Sequence, residues 1–240
     1  MEIDPAGLTD ISEKGAEKDG VRQELDRRLF MQLLVFGECR STSALVRSLD
    51  GAGFDAVLYR DVNDPRGVGL LTMHEDPAFF ASELRQFLHL EGFASLPLKQ
   101  EFTMLGRTYG LGHEEDLEDW LLKRPRRVVM NKAWPWAVWY PLRRKGDFAL
   151  LEPREQAAIL REHGMIGRAF GKADLGHDIR LASHGLTGRD NDFVIGLIGR
   201  DLHPLSVLVQ TMRRTRQTST YIETMGPFFI GRAVWQGGRV

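Results

Sequence analysis

One order of predicted elements occurs twice along this chain, and that repetition constrains the fold more than any other feature of the sequence. In the first half, apolar runs of strand length occur at 30–38, 55–62, 67–75 and 101–109. A helix follows the first run, behind a Ser/Thr cluster suited to cap it, and Pro77 opens a second helix after the third run. The order of elements is therefore β-α-β-β-α-β.

The second half predicts the same order, although its residues do not repeat those of the first half. One helix is predicted from Pro153 to His163, with Gly164 as its C-terminal cap, and another from Pro204 to near Tyr221. The strands are predicted at 136–143, 178–186, 192–199 and 227–235.

Two such lobes in one chain predict an α+β protein with a duplicated ferredoxin-like fold. The helices of each lobe cover one face of its sheet, so we expect the two sheets to pack on each other. An interior cleft on the inward face of a sheet is then the expected place for a flat ligand. The predicted divisions are a flexible N-terminal tail over 1–28, an N-terminal lobe over 29–112, a linker helix over 113–127 and a C-terminal lobe over 128–240.

Composition excludes several classes of partner. The 240 residues are 42% apolar, which suffices for a large core, and 32 Lys and Arg balance 33 Asp and Glu. A near-zero net charge provides no field that would draw the chain to nucleic acid or to an anionic membrane. The single cysteine, Cys39, excludes an intramolecular disulfide, and the sequence contains neither a signal-peptide pattern nor a long apolar span. We expect a soluble, cytoplasmic protein.

His163 is the first candidate for a site residue, in the run REHGMIGR over 161–168. A neutral imidazole is the usual protein ligand of haem iron, but a histidine at a helix end can also serve only to interact with the helix dipole. An axial histidine needs a partner for its other ring nitrogen, and Glu223 is the candidate. A solvated glutamate is the alternative for that residue.

Tyr140 is the second candidate, because a basic turn directly follows it at 143–145. A phenol beside a redox-active porphyrin can donate a proton or a hydrogen atom, and adjacent arginines can bind carboxylates. The alternative is that Tyr140 and the nearby tryptophans are core aromatics of a sheet. The basic stretches at 123–127 and 213–216 favour a small polyanion over nucleic acid, since no nucleic-acid motif accompanies them.

The region from about 126 to 235 resembles the chlorite dismutase family and, within it, the coproheme decarboxylases of bacterial haem synthesis. The N-terminal half matches only weakly, at 101–109. The resemblance rests on YPLR at 140–143, EHGMIGR at 162–168, SHGL at 183–186 followed by DF at 192–193, MR at 212–213, YIE at 221–223 and GPFFIG at 226–231.

This resemblance implies a duplicated ferredoxin-like fold of the dimeric α+β barrel type, assembled into homo-oligomeric rings that are usually pentamers. His163 would be the proximal ligand of the iron in haem b or coproheme, with Glu223 as its hydrogen-bond partner. Tyr140 would form a radical after peroxide oxidises the iron, attack a propionate and release carbon dioxide. The residues implied to contact propionates are Arg126, Arg144 and Thr218.

The chain departs from the family pattern in two places that bear on function. Leu142 replaces the methionine usual after Tyr-Pro, and the distal position falls at Asp178, or at Arg180 on the same face of the strand. The expected function is peroxide-dependent decarboxylation of coproheme to haem b. The alternatives are dismutation of chlorite to chloride and dioxygen, which needs a distal cation such as Arg180, and a haem-binding or structural protein without turnover.

Overall fold

The N-terminal lobe has the predicted elements, with small shifts at their ends. The computed structural model describes residues 9–90 and 92–238. The strands of this lobe are β3 (Phe30–Phe36), β4 (Ala56–Asp61), β5 (Val68–His74) and β6 (Met104–Arg107). Its helices are α1 (Thr42–Asp50), α2 (Ala78–Ala81) and α3 (Glu83–Leu88), so the helix predicted after Pro77 is broken into two short pieces.

The C-terminal lobe follows a helical linker in which a π-helical segment, Asp119–Lys123, continues into α4 (Arg124–Val129). The strands of the lobe are β7 (Trp136–Arg144), β8 (His177–Ala182), β9 (Phe193–Gly199), β10 (Ile222–Met225) and β11 (Phe229–Gly237). Its helices are α5 (Pro153–Lys172), α6 (Leu202–Met212) and α7 (Arg216–Tyr221).

The strand order confirms the ferredoxin-like fold in both lobes. The N-terminal lobe is ordered β4-β5-β3-β6, and the C-terminal lobe β8-β9-β7-β11, with every neighbouring pair antiparallel. Strand β11 pairs with β4, and β6 pairs with β8 through Arg107 and Ala182. These two junctions join the lobes edge to edge, so the sheet closes on itself, and β10 extends β7 at its far end.

The interior of this closed sheet is filled by side chains, so the expectation of an interior cleft on the inward face is wrong. Tyr59, Trp139 and Phe229 are at most 1% exposed and meet there among aliphatic residues of both lobes. A Cβ at Gly196 would lie 2.5 Å from the Trp139 ring, so the tryptophan occupies the space of a side chain. The outer face of the sheet, under the helices, is therefore the face on which a flat ligand would have to lie.

The segment expected to be a flexible tail contains a hairpin. Strands β1 (Glu13–Lys18) and β2 (Val21–Leu25) pair with each other, and the Ala16 amide donates to the Glu114 carbonyl oxygen at 3.0 Å. The polar composition of this segment predicted a flexible tail, but its backbone forms a hydrogen bond with the linker. Residues 1–8 lie outside the described residues, and the predicted lobe boundaries stay predictions.

Helix α5 differs most from the sequence prediction, because it does not end at Gly164. The helix continues to Lys172, and its C-cap is Ala173, followed by Asp174 with a positive φ of 55°. A glycine inside a helix costs only about 1 kcal/mol relative to alanine, which the rest of this long helix offsets. His163 therefore lies in mid-helix, and its interpretation as a helix-end cation does not hold. In the described residues, no helix is both long and apolar enough to cross a membrane.

Candidate functional site

The site is built on the outer face of the C-terminal sheet, opposite α5. Side chains alternate along a strand, and the register places Tyr140 of β7, Ile195 of β9 and Arg180 of β8 in one row. Asp178 lies in the next row, with Leu197 as its partner. The sequence-predicted candidates on β7 and β8 are thus brought to one face.

Helix α5 covers this face without sealing against it. Of its 20 residues only Ile159 is buried, while Ile166 and Phe170 on its apolar side are half-buried. Large apolar side chains facing them are also left partly exposed, namely Trp136, Phe193, Ile195, Met212, Met225, Phe228 and Ile230. Apolar surface on both walls indicates a slot for a flat, largely apolar ligand. We call this space the α5 slot.

His163 is held neutral in the α5 slot. Burial, and secondly the charge of Arg180, lower the pKa of its imidazole to about 4. Its Nδ1 is buried without a hydrogen-bond partner, an arrangement that costs free energy unless something binds the ring. A neutral imidazole with an unused nitrogen in an apolar slot fits an axial iron ligand.

Glu223 is not placed as the sequence prediction requires. Its carboxylate Oε2 lies 3.4 Å from the Arg143 Nε, and about half of the side chain is exposed. No hydrogen bond joins it to His163 Nδ1, which has no partner. Residue 223 is an exposed position of β10, so its side chain points away from the covered face.

Tyr140 is buried on the same face as Arg180. Its ring stacks on Phe228 with centroids 4.5 Å apart. Burial, and then the negative charge of Asp178, raise the pKa of the phenol, while Arg213 acts in the opposite direction. Tyr140 therefore keeps its proton at neutral pH and remains a hydrogen-atom donor.

Arg144 and Arg213 supply positive charge to the site. The guanidinium of Arg144 lies 4.3 Å from the Phe148 ring centroid and 4.9 Å from that of Phe193, and its Nε is buried without a partner. Its charge contributes to lowering the pKa of His163. Arg213 lies 5.9 Å from the ring centroid of Phe228. Two signals in the sequence pointed to Arg213, the basic stretch at 213–216 and the MR pair at 212–213 of the family resemblance.

Two other residues expected to contact propionates are engaged elsewhere. Arg126 donates through Nε to Asp55 at 3.0 Å, and its Nη1 lies 3.7 Å from a carboxylate oxygen of Glu75, so its charge is committed to the N-terminal lobe. Thr218 lies in the first turn of α7, where its amide donates to Thr215 Oγ1 at 3.4 Å. These contacts give both Arg126 and Thr218 a structural role.

Asp178 and Arg180 form an ion pair on the sheet face, with Arg180 Nε 2.9 Å from Asp178 Oδ2. Arg124, from the linker helix, donates to Asp178 Oδ1 at 3.2 Å and to its carbonyl oxygen at 2.9 Å. Although burial alone would raise the pKa of Asp178, the two guanidiniums hold it below its usual value. Sequence reasoning missed Arg124, because nothing in the chain signals that the linker packs beside β8.

Known proteins are similar to this chain in two respects, the sequence of the C-terminal lobe and the fold of the whole chain. The family model described as chlorite dismutase matches residues 119–234. A heme-binding protein from Thermus thermophilus superposes with a TM-score of 0.66 at 18% identity, over 87% of this chain and 92% of that one. Chlorite dismutase from Candidatus Nitrospira defluvii, in complex with imidazole, gives a TM-score of 0.66 at 13% identity, over 88% and 92%.

No curated protein sequence matches this chain significantly. At such low identity, the solved structures support the fold of the whole chain, while the sequence match carries the family assignment of the C-terminal lobe with its linker. The matched region contains the helix with His163, all of β7, β8 and β9, and the linker residue Arg124. Residues 119–234 are thus similar in sequence to the chlorite dismutase family, and the fold of the whole chain is similar to that of solved chlorite dismutase structures.

Proposed function

We propose that this chain binds an iron porphyrin in the α5 slot through His163 and catalyses the peroxide-dependent decarboxylation of coproheme to haem b. The observation that carries the proposal is the neutral, partly buried imidazole of His163, whose Nδ1 has no partner within the protein. The match of residues 119–234 to the chlorite dismutase family model supports it, as does the similarity to a structure described as a heme-binding protein.

The residues around the α5 slot have separate roles in this proposal. His163 donates an electron pair to the iron, and half-buried side chains such as Ile166 and Phe193 cover the faces of the porphyrin. Arg144 and Arg213 provide guanidinium donors for propionates, and charge-assisted bonds of this kind are about twice as strong as neutral ones. When bound, the iron porphyrin supplies the one-electron oxidation that peroxide initiates.

Tyr140 is the proposed catalytic residue. Its neutral phenol would give up a hydrogen atom, and the resulting oxygen-centred radical would take one from a propionate side chain. The propionate radical would then lose carbon dioxide and one further electron to leave a vinyl group, and the second oxidising equivalent of the peroxide would accept that electron through the bound porphyrin. Stacking on Phe228 fixes the ring, and its position on the sheet face brings the phenol to the same covered space as His163. The charge of Asp178 contributes to raising the pKa of both Tyr140 and His163, which supports placing the two side chains in one site.

Mass spectrometry of the porphyrin tests the proposed reaction. Purified protein loaded with ferric coproheme is treated with peroxide, and we expect stepwise loss of carboxyl carbon to give haem b. Tyr140→Phe should bind coproheme with unchanged affinity and lose turnover. Tyr59→Phe is the matched control, because Tyr59 is equally buried but lies inside the closed sheet. Coproheme that binds and keeps all its carboxyl groups would remove this proposal.

Chlorite dismutation is the second candidate, and one observation favours it. Arg180 brings a guanidinium to the sheet face that lies opposite α5, where a cation can assist an anionic oxidant. An oxygen electrode distinguishes the two candidates, since chlorite added to the loaded protein should release dioxygen and Arg180→Gln should abolish that release. Absence of dioxygen evolution by wild-type protein leaves decarboxylation as the remaining candidate reaction.

A further inference from the structure

The side chain of Arg180 is fixed in place. One of its donors is bound to Asp178, and its guanidinium lies 5.1 Å from the ring centroid of Trp120. Trp120 is itself fixed, because its Nε1 donates to the carbonyl oxygen of Tyr109 at 3.0 Å. Arg180 therefore cannot turn freely towards a small ligand without leaving both a carboxylate and an aromatic face.

The side chain of Asp178 is also fixed in place. Both of its carboxylate oxygens have guanidinium partners, Arg124 on Oδ1 and Arg180 on Oδ2. Arg124 also bonds the backbone of Asp178 and lies 4.7 Å from the ring centroid of Trp120, so the linker helix braces the pair. About a quarter of each side chain on β8 is nevertheless exposed, 27% for Asp178 and 29% for Arg180. The pair thus borders the α5 slot and is accessible from it.

The charges of the two residues offset each other where a ligand would bind. Arg180 Nε lies 2.9 Å from Asp178 Oδ2, so the fields of the two charges oppose each other at any ligand that approaches this pair. A small anion entering between His163 and β8 therefore meets a carboxylate beside the guanidinium of Arg180. A neutral hydroperoxide meets an acceptor for its O–H and a donor for its other oxygen.

We propose that Asp178 determines the class of oxidant that this site accepts: the Asp178–Arg180 pair receives a neutral hydroperoxide and disfavours a small anion such as chlorite. This inference rests on the proposed binding of an iron porphyrin at His163. Asp178 acts here by positioning Arg180 and by offsetting its charge, and Arg124 holds Asp178 in place. The inference favours decarboxylation over chlorite dismutation as the function of the site.

Binding of fluoride to the protein loaded with ferric coproheme tests the inference without any turnover. At pH 7, dissociation constants are measured from the change in the visible spectrum, with imidazole as the neutral ligand for comparison. Asp178→Asn should bind fluoride at least tenfold more tightly than wild type, with imidazole affinity changed less than threefold. Asp174→Asn is the matched control, because Asp174 also pairs with an arginine, Arg200, but on an exposed loop. That variant should behave as wild type.

A second pair of variants keeps the test decisive if Asp178→Asn is poorly folded. Arg180→Gln in the wild-type background should weaken fluoride binding at least tenfold, because it leaves the carboxylate of Asp178 without the opposing charge beside it. In the double variant Asp178→Asn/Arg180→Gln, the gain in fluoride affinity should disappear. Unchanged or tighter fluoride binding by Arg180→Gln, or unchanged binding by a folded Asp178→Asn, would overturn the inference. A Soret band that stays at the position of free coproheme in all proteins, wild type included, would instead overturn the proposed function and this inference with it.

Discussion

Tyr140 and Arg180 are both register partners of Ile195, so the phenol and the guanidinium lie in one row of the outer sheet face, two strand spacings apart. Two spacings amount to about 10 Å. This relationship explains why two residues so far apart in the sequence belong to one site, and why that site is on the covered outer face of a closed sheet. The predictions below test the parts of this arrangement separately.

The buried imidazole should limit the stability of the protein without ligand. In His163→Leu an unpartnered nitrogen is removed from a half-buried position, and leaving such a group unsatisfied typically costs about 1–3 kcal/mol. We expect the free energy of unfolding, measured with urea at pH 7, to rise by about 1 kcal/mol. His203→Leu, at an exposed position on α6, should change it by less than about 0.5 kcal/mol. A loss of stability in His163→Leu would show that the ring has a structural role.

Stability should also depend on pH through His163. Folding lowers the pKa of this residue from 6.5 to about 4, chiefly by burial, so between these values the unfolded chain binds more protons than the folded one. The contribution of His163 to the free energy of unfolding is therefore fully present above pH 6.5. It decreases as the pH falls from 6.5 through 4, by about 3 kcal/mol in all. Urea unfolding at pH 7 and pH 4.5 should show a larger drop for wild type than for His163→Leu. Equal drops would contradict the assignment.

Arg124 should be required for a stable pair on β8. Arg124→Met keeps the aliphatic stem but leaves Asp178 without two of its hydrogen bonds, one to the side chain and one to the backbone. We expect a loss of about 2 kcal/mol in the free energy of unfolding. Arg127→Met is the matched control on the same helix, since its pairing with Asp119 is largely exposed and should contribute less than about 1 kcal/mol. Similar losses in both variants would argue against a buried role for Arg124.

The filled interior should not tolerate even a methyl group. In Gly196→Ala the new Cβ would lie 2.5 Å from the Trp139 ring, and overpacking of this kind costs about 1–3 kcal/mol. Thermal unfolding should show a clearly lowered Tm. Gly188→Ala, where no atom lies within 4 Å, should leave the Tm nearly unchanged. An unaffected Tm in Gly196→Ala would mean that the interior of the closed sheet has space for an added methyl group. That result would contradict the argument that places the ligand on the outer face.

Sequence patterns predicted the elements and the fold because strands such as β3, β5 and β9 are continuous apolar runs. The closure of the sheet was implied by the family resemblance, which is to a barrel, but the residue patterns did not predict it, since the β6–β8 junction rests on Arg107 and Ala182, which carry no signal for each other. The end of α5 was placed too early because glycine is a frequent C-cap, whereas here Gly164 lies within a helix that extends to Lys172.

The sequence-predicted site residues that lie on strands β7 and β8 are found on the expected face of the sheet. Tyr140, Arg144 and Arg180 lie on the covered face as an alternating strand requires. Arg124 and Trp120 were out of reach, because their role depends on how the linker packs against β8. Glu223 was selected because an axial histidine needs a partner for its other ring nitrogen, and its pairing with Arg143 follows from a local contact between β10 and β7.

Rescue of a histidine variant by imidazole tests the central claim most directly. Ferric coproheme is titrated into wild type, into His163→Gly and into His203→Ala, and the Soret band is followed with and without added imidazole. We predict that wild type and His203→Ala give the same spectrum, that His163→Gly loses it, and that imidazole restores it. A wild-type spectrum in His163→Gly without imidazole would contradict ligation of the iron by this residue.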